Sequence, residues 1–335
     1  MRHSFSAGSG FFAVAAAVFL AWPTAASAQL GGTPYVDPRV LDLEIKCNKL
    51  QDTINKLEGV VGDLLTRLAC VSRQTGEING VSGPHLLITG CNVHIRSGSG
   101  MTGDTTNLGN LIIGYNEPRN TTDTTNRTGS HTLIIGPEHQ FTASGGLLAG
   151  YRSTVTADFA SVSGGRDNTA SGNAASVSGG FTNAASGFVA SVSGGTSNTA
   201  SGDAASVSGG AGNMASGPQA SVSGGELNTA SGDFASVSGG QSNTASGFVA
   251  SVSGGRQNTA SGNVASVSGG ALNTASANDA SVSGGGANTA SGAIASVSGG
   301  ELNTASGFAA SVSGGKSRAA SGTDDWVAGG LFQDF

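Results

Sequence analysis

From residue 161 onward the chain places small apolar and polar residues in one phrase, Ala-Ser-Val-Ser-Gly-Gly-x-x-Asn-Thr-Ala-Ser-Gly-x-x, that returns every 15 residues. Ser-Val-Ser-Gly-Gly begins at Ser161, Ser176, Ser191, Ser206, Ser221, Ser236, Ser251, Ser266, Ser281, Ser296 and Ser311, and a diverged copy, Trp326-Val327-Ala328-Gly329-Gly330, closes the series. A short fixed period of this kind predicts a solenoid in which each copy is one coil stacked on the next. Fifteen residues are too few for two helices; they fit two strands of about five residues and two tight turns. Alternation predicts inward faces made of Ala175, Val177 and Gly179 on one strand and of Asn183, Ala185 and Gly187 on the other. The positions after each Gly-Gly and each Ala-Ser-Gly vary freely, as in Arg166-Asp167 and Phe308-Ala309, which marks them as corners.

One polar column belongs to the invariant set. Asn168, Asn183, Asn198, Asn213, Asn228, Asn243, Asn258, Asn273, Asn288 and Asn303 would stack ~4.8 Å apart and hydrogen-bond along the column as a structural ladder. The rest of each coil is thin: one Val, two Ala and glycine. At ~25 cal/mol per Å² of apolar area, such an interior hardly offsets the ordering entropy of a Gly- and Ser-rich chain. The expectation is therefore that other copies of the chain supply contacts.

Before the repeats the pattern changes twice. His85-Leu86-Leu87-Ile88-Thr89-Gly90, Asn110-Leu111-Ile112-Ile113-Gly114, Thr132-Leu133-Ile134-Ile135-Gly136 and Gly146-Leu147-Leu148-Ala149-Gly150 read as coils with a larger core. Between them the insertions Arg96–Asn107 and Tyr115–Ser130 are either a recognition surface or solvated loops. With these the stack comes to about fifteen coils, a rod on the order of 70 Å. Further upstream a heptad pattern runs over 38–70. Val40, Cys47, Ile54, Val61 and Leu68 take position a; Leu43, Leu50, Leu57 and Leu64 take d. This predicts a parallel coiled coil whose oligomerisation residues are Leu43, Cys47, Leu50, Ile54, Leu57, Val61, Leu64 and Leu68. Beta-branched residues at a favour two strands, while Val60 at g and Leu65 at e widen the stripe toward three. Gly59 and Gly62 weaken the helix locally.

Arg2 and His3, the apolar run Phe11–Trp22 and the small-x-small site Ala26-Ser27-Ala28 predict a signal peptide over 1–28 and an exported chain starting at Gln29. The run is short for a membrane span and stops at Pro23, and no later segment reads as a transmembrane anchor. The expected organisation continues with a linker over 29–37, the neck over 38–70, a connector over 71–85, irregular coils over 86–160, regular coils over 161–330 and a tail over 331–335.

Composition narrows the function classes. Of 335 residues 56 are glycine and only 11% are charged, which suits a β-repeat better than a compact enzyme. The net charge of −6 gives no reason to expect nucleic acid as a partner. Three cysteines, Cys47, Cys70 and Cys91, are an odd number for an exported chain; a Cys70–Cys91 disulfide is expected, within or between chains. His85, His94, His131 and His139 lack metal-ligand spacing, no Ser sits in a Gly-x-Ser-x-Gly elbow with partners, and the Gly-Gly-x-Gly-x-Asp calcium repeat is absent. Neither enzyme activity nor a cofactor or metal is expected. Asn120-Thr121-Thr122 and Asn126-Arg127-Thr128 are glycosylation sequons.

The succession Asn110-Leu111-Ile112-Ile113-Gly114, Phe141-Thr142-Ala143-Ser144-Gly145 and the Ser-Val-Ser-Gly-Gly/Asn-Thr-Ala-Ser-Gly array resembles the heads of trimeric autotransporter adhesins, the YadA-like head family, over about 86–330. The resemblance implies a left-handed parallel β-roll, a homotrimer on a coiled coil, and attachment to a matrix protein, glycan or cell-surface receptor, at the outer surface of a Gram-negative bacterium. This chain departs from that pattern in placing its helix first, in lacking strands of barrel length before the terminal Phe335, and in repeating every 15 rather than 14 residues. A structural filament or coat component is the rival expectation. An ice-binding protein is a third, resting on the row Thr169, Thr199, Thr229, Thr244, Thr259, Thr274, Thr289 and Thr304, which Ala184 and Met214 interrupt.

Overall fold

The structure is a computed structural model that describes residues 37–120 and 126–328. The expected signal peptide, the start of the linker and the tail over 331–335 lie outside the described residues. Two compact units divide the chain, Met1–Asn92 and Val93–Phe335.

In the first unit α1 spans Pro38–Arg67. Asp37 caps it by accepting the Arg39 N–H at 2.9 Å, Pro38 opens the first turn where its missing N–H is harmless, and Arg67 lies in the last turn. Two short strands follow, β1 (Val71–Gln74) and β2 (His85–Ile88), which pair antiparallel from Val71 opposite Ile88 to Gln74 opposite His85. A disulfide joins Cys70 to Cys91 just beyond the paired ends, within one chain. His85–Ile88 was expected to be the first irregular coil of the solenoid; it is instead half of this hairpin, and 71–85 is not a plain connector. The reason is a reversal at Asn79-Gly80. Both residues have positive φ, and Ile78 and Val81 exchange backbone hydrogen bonds of 2.9 and 3.0 Å across them. Asn-Gly is the pair that a two-residue hairpin turn selects.

The second unit is a parallel β-solenoid. One sheet has 15 strands, from Leu111–Ile113 to Trp326–Val327, and the other has 13, from Gln140–Phe141 to Ala319–Ala320. The stack therefore has about 13 turns rather than about fifteen. Register starts wide, Leu111 opposite Leu133, shortens to 14 residues from Leu133 to Leu147 and from Leu147 to Ser161, and holds at 15 from Ser161 on, as in Ser176 opposite Ser191. A third ladder of single parallel bridges runs from Tyr151–Arg166 to Glu301–Lys316. No helix among the described residues is long and apolar enough to cross a membrane.

Each regular coil has paired segments of two residues, such as Ser176–Val177 and Ala184–Ala185, not strands of five. Three corners per coil shorten them. Val177, Ala175, Ala185 and Asn183 point inward and are buried. Gly179 does not: a Cβ placed there would meet nothing within 4 Å, because the chain turns after Val177 and the alternation stops. The irregular coils fill the same columns with Ile134, Leu148, Phe141 and Val155.

The corners use backbone that the sequence pattern hides. The second glycine of each pair is left-handed, as at Gly225 with φ 85°, where a Cβ would lie 2.2 Å from the Gly240 carbonyl oxygen. The variable positions are left-handed too: Thr182, Val189, Val249, Val264 and Ile294 have φ between 55° and 63°. β-Branched residues are strained there, by about 1–2 kcal/mol each. Two substitutions check this. Gly225→Ala should lower thermal stability markedly, while Val264→Asn, which suits left-handed backbone, should raise stability by up to about 1 kcal/mol. Equal melting curves for both variants and the parent would refute the assignment of these corners.

Candidate interaction surface

Three features of the described residues carry polar chemistry or unburied apolar surface: the asparagine column, the inserted loops and the face of α1. In the column, each Asn is held by the alternation that turns Asn and the second Ala inward, and each is at most 1% exposed. Amide does not bond to amide, as the sequence suggested. Asn243 Oδ1 accepts the Asn258 backbone N–H at 2.9 Å. Its Nδ2 donates to the carbonyls of Gly239 in its own coil and Gly255 in the next, both at 2.9 Å. The same three bonds recur from Asn183 through Asn303. The side chain thus replaces a sheet ladder at the corner where the backbone turns away from its neighbours.

The column also reaches into the irregular coils. Asn116 Oδ1 accepts from His139 N at 2.8 Å, His139 Nδ1 from Ser153 N at 3.2 Å, and Ser153 Oγ from Asn168 N at 3.3 Å. Sequence reasoning missed His139 and Ser153 because the residue type changes while the acceptor role persists, though successive offsets of 15 and 14 residues back from Asn168 were an available signal; it missed Asn116 because an insertion widens the offset to 23. His139 is fully buried and its Nε2 lies 3.0 Å from the Ile135 carbonyl, so the proton sits there. Burial pushes its pKa below the ordinary imidazole value of 6.5.

The inserted loops are tied to the solenoid wall. In Arg96–Asn107 the Ser97 and Ser99 hydroxyls donate to Asp104, which holds its carboxyl far below the usual carboxylate range. His131 Nε2 accepts the Ser97 N–H at 3.2 Å, and Nδ1 faces the Thr102 carbonyl at 2.9 Å. With Nε2 occupied by a backbone donor, no Ser–His–Asp relay exists there. An open concavity of about 380 Å³ lies between Arg96, Ser97, Met101 and His131. From the second insertion, Arg119 donates to the Glu138 and Arg152 carbonyls at 2.9 and 2.8 Å, and Arg127 donates to the His139 and Glu117 carbonyls at 3.1 and 2.7 Å. Residues 121–125 of this loop, including Thr121 and Thr122 of the first sequon, lie outside the described residues. His85 Nε2 is 3.1 Å from the Val81 carbonyl within the hairpin, and His94 is exposed. Among the described residues no group of three or more His, Cys, Asp or Glu could hold a metal ion.

The corners expose Phe188, Val189, Phe234, Phe248 and Phe308, with Phe234 and Phe248 edge-to-face at 5.7 Å. At another corner Arg166 lies over Tyr151 and Phe181, 5.3 and 5.7 Å from the ring centres. The threonine row is half-buried on its strands rather than raised as an exposed plane, and Met214 breaks it with an exposed side chain.

α1 buries no residue. Its expected seam is open along its whole length, from Ile54 at 40% exposed to Leu50 at 63%, with Leu43, Leu57, Val61, Leu64 and Leu68 between those limits and Cys47 a free, exposed thiol. Ile54, Leu57, Val61 and Leu65 line an almost wholly apolar groove on that face. No protein-family model matches the chain, and no curated protein matches it.

Two outcomes follow from the column. Asn243→Asp keeps volume but loses both Nδ2 donors: the Gly239 carbonyl is left unpaired at about 1–3 kcal/mol, while Gly255 O keeps the Gln241 N–H at 2.9 Å; urea unfolding should register a loss of at least about 1 kcal/mol. For His139 the folded pKa is the lower one, so below 6.5 the unfolded chain takes the proton first. Stability should be full above about 6.5 and fall with pH below it, and His139→Gln should flatten that slope; an unchanged slope would show that His139 does not titrate against folding.

Proposed function

We infer that the chain is an exported, homotrimeric surface fibre: a short parallel coiled coil built on α1, followed by a left-handed β-roll head that attaches to a matrix protein, glycan or cell-surface receptor. The reading draws on the resemblance of the repeat to trimeric adhesin heads. One observation carries it: a 30-residue helix that buries nothing and displays a Leu/Ile/Val seam at heptad spacing, interrupted by Cys47 alone. Burying a Leu or Ile fully is worth about 1.5–3 kcal/mol, so leaving seven or eight in water is costly unless identical helices cover them. Three solenoids side by side would present each corner row three times, and weak contacts would multiply through avidity.

A second reading, a structural coat filament without a receptor, is favoured by the pinning of both inserted loops through Arg119, Arg127 and His131. Pull-down against matrix proteins and glycan arrays separates the two.

The mass of purified Gln29–Phe335 in solution tests the assembly. Three chain masses are expected, and Leu50→Asp with Leu57→Asp should reduce them to one. A parent that stays a folded single chain at all concentrations would end this reading.

A further inference from the structure

The last described coil, 316–328, departs from those before it at several places. Arg318 stands in the Asn column, Ala319 in the Thr row, Asp325 where the preceding coils have Ala, and Trp326 where they have Ser. The structure gives Arg318, Asp325 and Trp326 each a role.

In an interior coil two corner amides bond forward to one carbonyl. Ser306 and Gly307 donate to Ala320 O at 2.8 and 3.3 Å, and Ser291 and Gly292 donate to Ala305 O at 2.8 and 3.2 Å. The matching amides of the last described coil are those of Ser321 and Gly322. They donate instead to Asp325 Oδ2, at 3.1 and 3.4 Å. Meanwhile the Asp325 backbone keeps the work of the alanine it replaces. Its carbonyl accepts from Ser311 at 2.8 Å, and its N–H donates to Gly322 O at 3.3 Å. A single carboxylate thus stands where the next coil's carbonyl would be.

The neighbouring changes agree. An Asn in this column donates to a Gly carbonyl 12 residues on, in the following coil, as Asn303 does to Gly315 at 2.9 Å. Arg318 makes no such demand: its backbone N–H still serves Asn303 Oδ1 at 2.9 Å while its side chain is exposed. Trp326 Nε1 donates to Ser313 Oγ at 2.8 Å, tying the indole back to the preceding coil. Lys316, Arg318 and Asp324 add exposed charge to this end. An unprotected sheet edge pairs with other chains, and repeat arrays need terminal coils with a polar outer side.

We propose that Lys316–Ala328 is a terminating coil in which Asp325 fills the place of a following coil's carbonyl, closing this end of the solenoid against a second copy of the chain stacked end to end. The proposal is independent of how many chains run side by side.

The test uses the full chain with Asp325→Ala and Asp325→Asn. The last coil is one of about 13, so circular dichroism should be unchanged in both. In Asp325→Ala, exchange of the Ser321 and Gly322 amides should rise at least tenfold, and electron microscopy should find rods at multiples of the single length, increasingly so with concentration. Asp325→Asn retains an oxygen at the same place and should stay at single length. Single-length rods for Asp325→Ala at every concentration would overturn the proposal. So would equal end-to-end joining by the Ala and Asn variants.

Discussion

The buried asparagine column is the constraint on which the solenoid depends. A coil of 15 residues that pairs only two residues at a time in each sheet leaves polar backbone at its corners, such as the Gly239 carbonyl and the Asn258 N–H, for side chains to satisfy. Each Asn serves three groups at once: through Nδ2 the first Gly carbonyl of its own pair and the second Gly carbonyl of the next coil, which also takes a backbone N–H (Gln241 to Gly255, 2.9 Å), and through Oδ1 the next Asn amide. Each bond contributes about 1 kcal/mol net, but each group left buried and unpaired would lose more than that. Among the described residues no buried side-chain nitrogen or oxygen lacks a partner. The geometry also couples neighbours in one direction, because every Asn holds the coil ahead of it.

This coupling explains the composition. The interior is Val and Ala, so apolar burial per coil is small, and nearest-neighbour bonding must supply what the core does not. The second glycine of each pair is required because both the next coil's carbonyl and the Asn amide occupy the space of a Cβ, at 2.2 and 2.5 Å for Gly225. The variable corner positions escape that crowding and so accept Phe, Val, Asp or Pro, at the cost of left-handed backbone at half of them. Where the Asn column meets the irregular coils, His139 and Ser153 keep the acceptor role with other chemistry, and at the far end Asp325 supplies a carboxylate oxygen for the bonds that pass forward between coils.

α1 follows a different logic. Its cap, its proline and its i, i+4 pairs, Asp42 with Lys46 and Asp63 with Arg67, stabilise a single helix, yet those pairs are fully solvated and worth little. The exposed apolar seam represents a larger energy than those pairs, one that burial would release. Helix and solenoid thus use apolar residues differently: α1 leaves them exposed, and the solenoid buries a thin column of Val and Ala.

Periodicity by itself determined much. A repeat of 15 residues with invariant Ser-Val, Asn and Ala columns leaves only a stacked parallel solenoid, because every coil must place the same residue in the same environment. The heptads marked the helix to within a few residues, since 3.5-residue spacing has no other local solution. Asn79-Gly80 was equally legible as a hairpin turn and was passed over because Leu86-Leu87-Ile88 looks like the coil strands further on. Only tertiary structure decided the rest. Whether an asparagine amide bonds to its neighbour's amide or to backbone depends on where the corner carbonyls point. Which glycine faces open space, as Gly179 does, depends on where the chain turns. That Asp325 closes a ladder rather than marking decay of the repeat is visible only once its carboxylate is seen in the place of a carbonyl. Local pattern fixes which residues share a column; three-dimensional proximity fixes which donor finds which acceptor.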